Sequence, residues 1–214
     1  MYTLYYAPGA ASMLPHLVLL QAGVPYTLKR IDLAAGEQHS DSYLALNPTG
    51  MVPTLLIDNT PFGEAAALAM LLVERHPETG LAPALGDSAR ADYLQWMLYL
   101  ASTLQPAFRQ WFHPSENGVT DEVSFKQAVG ARIEGAWSRL DAHLAMAGPY
   151  MLSDTCSVVD LYTVILMRWS RNMPNPGTNW PHLTALAVRV KECHSWRQLC
   201  QIEGLTPWTV AEWA

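Results

Sequence analysis

The sequence has no long apolar run and no run of like charges, and these absences exclude several classes of protein. A bilayer span needs roughly 17–25 consecutive apolar residues, and no such stretch occurs, so we expect no membrane span. The formal net charge is −6 and there is no basic stripe, which argues against a nucleic-acid partner. Half of the residues are apolar, so we do not expect large-scale disorder.

Cysteine is scarce, with three residues in the chain. On one continuous helix, Cys193 and Cys200 would lie about 10 Å apart, which exceeds the roughly 4.4–6.8 Å between the Cα atoms of a disulfide.

The seven histidines show no metal-ligand spacing, so we predict no metal. The first residues have neither the basic segment nor the apolar run of a signal peptide, so we expect a cytoplasmic protein.

The first third of the chain alternates short strands with helices. Its patterns predict strands at 2–6, 26–31 and 54–57 with a stub at 61–62, and helices at 12–22, 41–46 and 64–76. The order β-α-β-(α)-β-β-α predicts an α/β domain of thioredoxin-like type over residues 1–78.

The rest of the chain has a different period. A Pro- and Gly-rich stretch predicts a linker at 79–86. Beyond it, apolar residues recur every three or four positions, in the runs Leu94, Met97, Ala101, Leu104, Phe108, Trp111 and Phe125, Val129, Ile133, Trp137, Leu140, Leu144. This period predicts an all-helical domain over 87–214. Within it, Ser157 and Asp160 have the spacing of a capping box, which we interpret as a folding device rather than a catalytic acid.

Several motifs, in this order and spacing, closely resemble the glutathione transferases and especially their bacterial beta class. They lie at 5–10, 32–35, 43–53, 64–68 and 148–160, so the resemblance covers nearly the whole chain. It implies a thioredoxin-like N-terminal domain followed by a helical domain, glutathione as co-substrate and a homodimer.

The loop at 47–55 carries the most specific part of the resemblance. Pro53 heads a strand, where it cannot donate to the ladder, and the family's proline at this place is cis. The N–H and C=O of Val52 would then be free to pair with an extended peptide, as the cysteinyl unit of glutathione does in the family. The resemblance thus implies glutathione binding by Met51, Val52 and Pro53, and an ordinary proline turn is the alternative.

Two further glutathione contacts are implied by the resemblance. Glu64 opens a helix, and the family's acidic residue there holds the γ-glutamyl amine. The serine that follows in the family is Ala65 here, which keeps the amide but lacks the hydroxyl. Ser102 matches a family residue that reaches glutathione from the partner subunit, although a solvated helix serine is equally compatible with its position.

The chemistry of the thiol depends on the residues at the start of the first helix. Beta-class relatives place a cysteine where this chain has Ala11, and the next residue, Ser12, could donate a hydrogen bond to the glutathione thiolate. Alternatively, Ser12 is the N-cap of the first helix. Tyr5 and Tyr6 are backup donors, since a tyrosine performs this task in other classes, although neither sits at the position those classes use. The family's His-Lys pair aligns with Gln105 and Pro106, and Pro106 is expected to disturb its helix.

An apolar electrophile would need its own pocket. The candidates for its lining are Tyr6, Pro8, Gln105, Trp111 and Trp208, and core packing is the alternative for the aromatic members. The leading hypothesis is therefore a transferase that activates the glutathione thiol for attack on an apolar electrophile. A non-catalytic ligand-binding or interaction protein of the same fold is the alternative. A thiol–disulfide oxidoreductase ranks last, because the N-terminal region has no cysteine, and a glutathione-dependent isomerase ranks beside it.

Overall fold

The structure is a computed structural model and describes residues 1–206 and residue 208. It divides into two compact units. The first contains Met1–Ala82 and a later stretch that begins at Glu192, and the second contains Pro83–Lys191 and Trp208. The domain bounds inferred from the sequence, 1–78 and 87–214, stay a prediction.

The first unit is built on a four-stranded sheet with the strand order β2-β1-β3-β4. Strand β2 runs parallel to β1, whereas β3 is antiparallel to β1 and to β4. The elements are β1 (Tyr2–Tyr6), α1 (Met13–Ala22), β2 (Tyr26–Arg30), α2 (Asp41–Leu44), β3 (Thr54–Ile57), β4 (Thr60–Phe62) and α3 (Ala65–Arg75). This order confirms the predicted thioredoxin-like class.

The core of the first unit lies between the sheet and helices α1 and α3. Leu4 and Leu55 are register partners on β1 and β3, and both are fully buried. Leu17 of α1 and Leu68 and Leu72 of α3 are buried as well. Each such side chain contributes about 1.5–3 kcal/mol by leaving water, so apolar packing fixes the two helices.

The second unit is helical, as the sequence predicts. It contains α4 (Arg90–Tyr99), α5 (Gln105–Phe112), α6 (Glu122–Ala147), α7 (Val158–Trp169) and most of α8 (Pro181–Glu192), whereas α9 (His194–Glu203) belongs to the first unit. Its largest fully buried side chains are Trp137, Tyr93, Tyr162 and Phe108.

A π-helical turn, Leu100–Leu104, joins α4 to α5. The last hydrogen bond of this turn runs from the N–H of Gln105 to the carbonyl of Leu100, five residues earlier. Pro106 follows in the first turn of α5 within a continuously helical backbone, and its nitrogen has no hydrogen to donate to a carbonyl of the preceding turn. The disturbance expected from Pro106 thus takes the form of a wider turn placed just before it.

The predicted capping box begins α7. Asp160 is fully buried, and its Oδ2 accepts the Ser157 N–H at 2.7 Å and the Ser157 hydroxyl at 2.6 Å. Its Oδ1 accepts the N–H of Met151 at 2.8 Å. Burial raises the pKa of the Asp160 carboxyl to about 6, although these hydrogen bonds favour the ionised form.

The Asp160 carboxyl makes stability depend on pH in an unusual direction. Because its pKa is higher in the folded chain, the native state binds more protons between about pH 4 and 6, and this group's contribution falls as pH rises. We expect Asp160→Asn, which cannot titrate, to gain about 2 kcal/mol of unfolding free energy relative to wild type between pH 4 and pH 7. Urea titrations at the two pH values measure this difference.

Asp121 supplies a control of opposite sign. It is the exposed N-cap of α6, and hydrogen bonds from Ser124 hold the pKa of its carboxyl below the usual value. Its contribution is present above the unfolded pKa and is lost as pH falls. Asp121→Asn should therefore lose stability relative to wild type at pH 7 and less at low pH. A pH-independent difference between Asp160→Asn and wild type would contradict the account of Asp160.

Candidate functional site

Three segments of the first unit meet at one edge of the sheet because of strand register. Tyr5, near the end of β1, pairs with Thr54, which begins β3. Phe62, the last residue of β4, pairs with Leu55 at the same end of β3. The loop after β1, the loop before β3 and the start of α3 therefore emerge side by side. This edge collects most of the site residues inferred from the sequence.

The loop before β3 presents a free backbone segment at this edge. The Val52–Pro53 peptide bond is cis, as the resemblance implies. Val52 is half-buried and Pro53 is buried, whereas the Met51 side chain is 44 % exposed. Neither the N–H nor the C=O of Val52 has a hydrogen-bond partner within the residues that the structure describes. An extended peptide could pair with both groups.

Gly50 is required for the shape of this loop. Its φ is +62°, in the left-handed region that side chains disfavour. A Cβ there would also lie 3.0 Å from Nδ1 of His39 and 3.2 Å from the carbonyl oxygen of Gln38. Conformation and space therefore both favour glycine directly before Met51.

Glu64 has a backbone conformation that is rare for a residue with a side chain. Its φ is 64° and its ψ is 102°, and the residue is exposed immediately before α3. Such conformations cost of order 1–3 kcal/mol and cluster at functional sites. Ala65, the first residue of α3, is 5 % exposed. The N–H groups of this first turn face the same edge, where they favour an anion.

The loop after β1 is held by Ser12. The side chain is fully buried, and its hydroxyl donates to the carbonyl of Ala7 at 3.1 Å and accepts the Ala7 N–H at 3.2 Å. Ser12 stands at the N-cap position of α1, but its backbone is helical and its side chain makes no cap bond. The N–H groups of Ala11 and Ser12 itself have no partner in the described part of the chain.

A buried polar cluster on the other side of this loop was not predicted from the sequence. Glu203, at the end of α9, accepts the Gly9 N–H at 2.9 Å and bonds Nδ1 of His16 at 2.7 Å. The other ring nitrogen of His16 lies 3.1 Å from the Tyr26 hydroxyl. Burial, and then the charge of Glu203, raise the pKa of that hydroxyl. The carboxylate thus fixes the loop to α1 and α9.

Two predicted pocket residues also lie in the first unit. Tyr6 is the last residue of β1 and is buried, with its ring centroid 6.0 Å from that of His16. Pro8 is half-buried in the loop that follows. Tyr6 therefore packs against the buried cluster.

The remaining predicted residues lie in the second unit. The exposed hydroxyl of Ser102 donates to the carbonyl of Leu98 at 2.7 Å, and the amide oxygen of Gln105 accepts from the hydroxyl of Tyr162. Trp111 lies against α6, where a Cβ on Gly130 would be 3.1 Å from its ring.

Trp208, also in the second unit, is 6 % exposed. Its carbonyl accepts from the ammonium of Lys191, which also lies 4.8 Å from the centre of its ring.

Among residues 1–206 and 208, no helix has the length and apolar character that a membrane span requires. Nor do the described His, Cys, Asp and Glu residues form a group of three that could hold a metal ion.

The buried cluster leads to a test of how the loop is held. Glu203→Leu leaves the Gly9 N–H and the His16 ring without their acceptor, so we expect a loss of about 3 kcal/mol of unfolding free energy. Glu203→Gln can accept from Gly9 and donate to His16, so its loss should be about 1 kcal/mol or less. Chemical unfolding, with amide exchange at Gly9, measures both. Equal losses in the two variants would contradict the hydrogen-bonding role.

Comparison with known proteins assigns this arrangement to a family. A sequence profile described as the glutathione S-transferase N-terminal domain matches residues 4–80. Glutathione S-transferase GST-4.5 of Xanthomonas campestris is 30 % identical over 204 residues, which are 94 % of this chain and 98 % of that protein.

Two solved structures extend the similarity to the fold. A glutathione transferase homologue from Sulfitobacter, with bound glutathione, has a TM-score of 0.86 at 28 % identity and covers 96 % of this chain and 99 % of its own. A bacterial beta-class glutathione S-transferase from Sphingomonas chungbukensis has a TM-score of 0.83 at 28 % identity, over 95 % of this chain and all of its own. The chain belongs to the glutathione S-transferase family and is similar to its bacterial beta class.

Proposed function

We propose that the chain binds glutathione at this edge of the sheet and activates its thiol for attack on an apolar electrophile. The observation that carries the proposal is that both backbone groups of Val52, at the edge where α1 and α3 begin, have no partner in the described part of the chain. The glutathione bound in the Sulfitobacter homologue supports the choice of ligand. Glutathione is a co-substrate, and no metal takes part in the proposed step.

The backbone of glutathione would extend the sheet beside Val52. In this arrangement the cysteinyl unit pairs with the Val52 N–H and C=O, and Met51 and Pro53 flank it. The γ-glutamyl amine is held by the Glu64 carboxylate, and the γ-glutamyl carboxylate by the Ala65 N–H at the positive end of α3.

The thiolate would lie at the start of α1. We propose that the N–H groups of Ala11 and Ser12, together with the Ser12 hydroxyl, stabilise it. The hydroxyl must then exchange the Ala7 carbonyl for the sulfur. That carbonyl would keep its bond from the Ala10 N–H at 3.1 Å, and the new bond is charge-assisted and therefore stronger than the one it replaces. The same proposal holds that Ala11 occupies the position at which the beta class has its cysteine.

The electrophile would require an apolar surface, for which Tyr6, Pro8, Gln105, Trp111 and Trp208 stay the proposed lining. Gln105 and Pro106 offer no acid or base, so the reaction would depend on thiolate formation alone. We further propose a cytoplasmic homodimer in which Ser102 reaches the glutathione of the partner subunit.

The proposed function is tested by calorimetry with glutathione, followed by a panel of apolar electrophiles on the same sample. Binding with glutathione-dependent conjugation of at least one electrophile is the expected result. Binding without any turnover would favour the non-catalytic alternative. An absence of binding would contradict the proposal altogether.

Ser12→Ala tests the thiolate donor. Loss of one charge-assisted hydrogen bond should raise the pKa of the bound thiol by about 1 unit and lower kcat/KM about tenfold. Thiolate absorbance during a pH titration measures the pKa. Ser195→Ala is the matched control, because that buried hydroxyl has no partner among the described residues. A less stable Ser12→Ala variant with an unchanged thiol pKa would reduce Ser12 to a residue that holds the loop.

Ala65→Ser restores the hydroxyl that the family has at the start of α3. One added hydrogen bond to the γ-glutamyl carboxylate should tighten glutathione binding about 2- to 10-fold. Ala67→Ser, at an exposed position in the same turn, should leave the affinity unchanged. Calorimetric titration of both variants gives the comparison, and equal affinities would remove the Ala65 N–H from the proposed site.

A further inference from the structure

Four polar groups close a ring of hydrogen bonds beneath the Met51–Val52 peptide. The Tyr43 hydroxyl lies 2.7 Å from the Met51 carbonyl oxygen and 2.9 Å from the Thr54 hydroxyl. The Asn47 amide nitrogen lies 2.8 Å from the same carbonyl oxygen and 3.1 Å from the same hydroxyl. The ring therefore joins α2, the loop and the first residue of β3.

The hydrogens of these groups can be arranged in one way only. Asn47 has two amide hydrogens, and it gives one to Met51 and one to Thr54. The single hydrogen of Tyr43 goes to the Met51 carbonyl, so the hydrogen of Thr54 goes to the oxygen of Tyr43. Both lone pairs of the Met51 carbonyl are then occupied, and every donor in the ring is used.

One side of the ring is buried, and its members are themselves held in place. Thr54 is fully buried and Tyr43 is 3 % exposed. Burial raises the pKa of the Tyr43 hydroxyl, which therefore stays a donor at neutral pH. The remaining oxygen of Asn47 accepts the N–H of Thr49 at 3.1 Å and its hydroxyl at 2.7 Å. The Tyr43–Thr54 bond is buried, whereas the Asn47 bonds to Met51 and Thr49 are exposed to solvent. Because every polar group of the network has a partner, the network has little freedom to move.

Fixing the Met51 carbonyl also fixes the direction of the next N–H. The Met51–Val52 peptide bond is not among the cis bonds of the chain, so it is a trans plane whose C=O and N–H point in opposite directions. Because the ring holds the carbonyl inward, the Val52 N–H must point away from the ring. That N–H has no partner among the described residues.

We propose that Tyr43, Asn47 and Thr54 are positioning residues that aim the Val52 N–H at the cysteinyl carbonyl of glutathione. This inference rests on the proposed function and adds the groups that set the position of the reactive thiol. None of the three touches the substrate, so they act through the orientation of one peptide plane. All three residues lie in or directly after the motif at 43–53, but that motif does not indicate this role; the fold brings their polar groups to one carbonyl.

Variants at two of the three positions test this role. Thr54→Val and Tyr43→Phe each remove one hydroxyl with little change of shape, and each should weaken glutathione about 5- to 10-fold. Thr54→Ser keeps the hydroxyl and should bind within about twofold of wild type. Tyr2→Phe is the matched tyrosine control, because its hydroxyl bonds His76 at 3.0 Å and lies at the opposite end of β1.

A second ligand distinguishes a positioning role from general support of the fold. A glutathione analogue with a trans-alkene in place of the Cys–Gly peptide bond keeps the shape but has no carbonyl to accept from Val52. Calorimetry should show that Thr54→Val and Tyr43→Phe weaken this analogue by less than about twofold. Should Thr54→Val fail to fold, Tyr43→Phe provides the same comparison.

Two failures are separable in this experiment. Equal weakening of glutathione and of the alkene analogue would overturn the positioning role while leaving the proposed function intact. A wild-type chain that binds no glutathione would contradict the proposed function itself, and the inference with it.

Discussion

The antiparallel pairing of β1 with β3 is the interaction on which the rest of the site depends. With Tyr5 opposite Thr54, the end of one strand and the beginning of the other lie at the same edge. The pairing of β3 with β4 brings the start of α3 to that edge as well. A shift of one residue would turn the side chains of β3 to the other face and remove Leu55 from the core. The burial that stabilises the sheet therefore also sets the geometry of the site.

The hydrogen-bonding groups that are available to a ligand at this edge belong mainly to the backbone, and side chains fix the loops that carry them. Glu203 and Ser12 fix the loop after β1, and the ring of Tyr43, Asn47 and Thr54 fixes the loop before β3. A site of this kind tolerates alanine at positions such as 11 and 65, because the N–H groups remain when a side chain is lost. The substitutions noted in the sequence consequently weigh less against binding than against catalysis.

Local patterns were sufficient to predict the strands and the main helices of the first unit, whereas the binding role of the proline loop came from the family resemblance. The recurrence of apolar residues along a strand or a helix depends only on neighbours in the chain. The pair formed by His16 and Glu203 could not be predicted in this way, because 187 residues separate its members. Only the docking of α9 against α1 brings them together.

Ser12 shows a different limit of sequence interpretation. A serine before a helix is the usual sign of an N-cap, but here the buried backbone of Ala7 competes for the same hydroxyl and wins. Likewise, Pro106 signals a disturbed helix, but not that the disturbance takes the form of a π-helical turn upstream. In both places the local structure depends on which groups lie nearby in space, and these cannot be predicted from the residue type alone.

The central claim is that the free backbone of Val52 receives glutathione as an added strand. Its most direct measurement is the amide spectrum of the ¹⁵N-labelled chain during titration with S-methylglutathione, which cannot be oxidised to a disulfide. The account requires the Val52 N–H to move downfield and to become protected from exchange as the ligand saturates. Saturable binding that leaves the Val52 amide shift and exchange rate unchanged would contradict it.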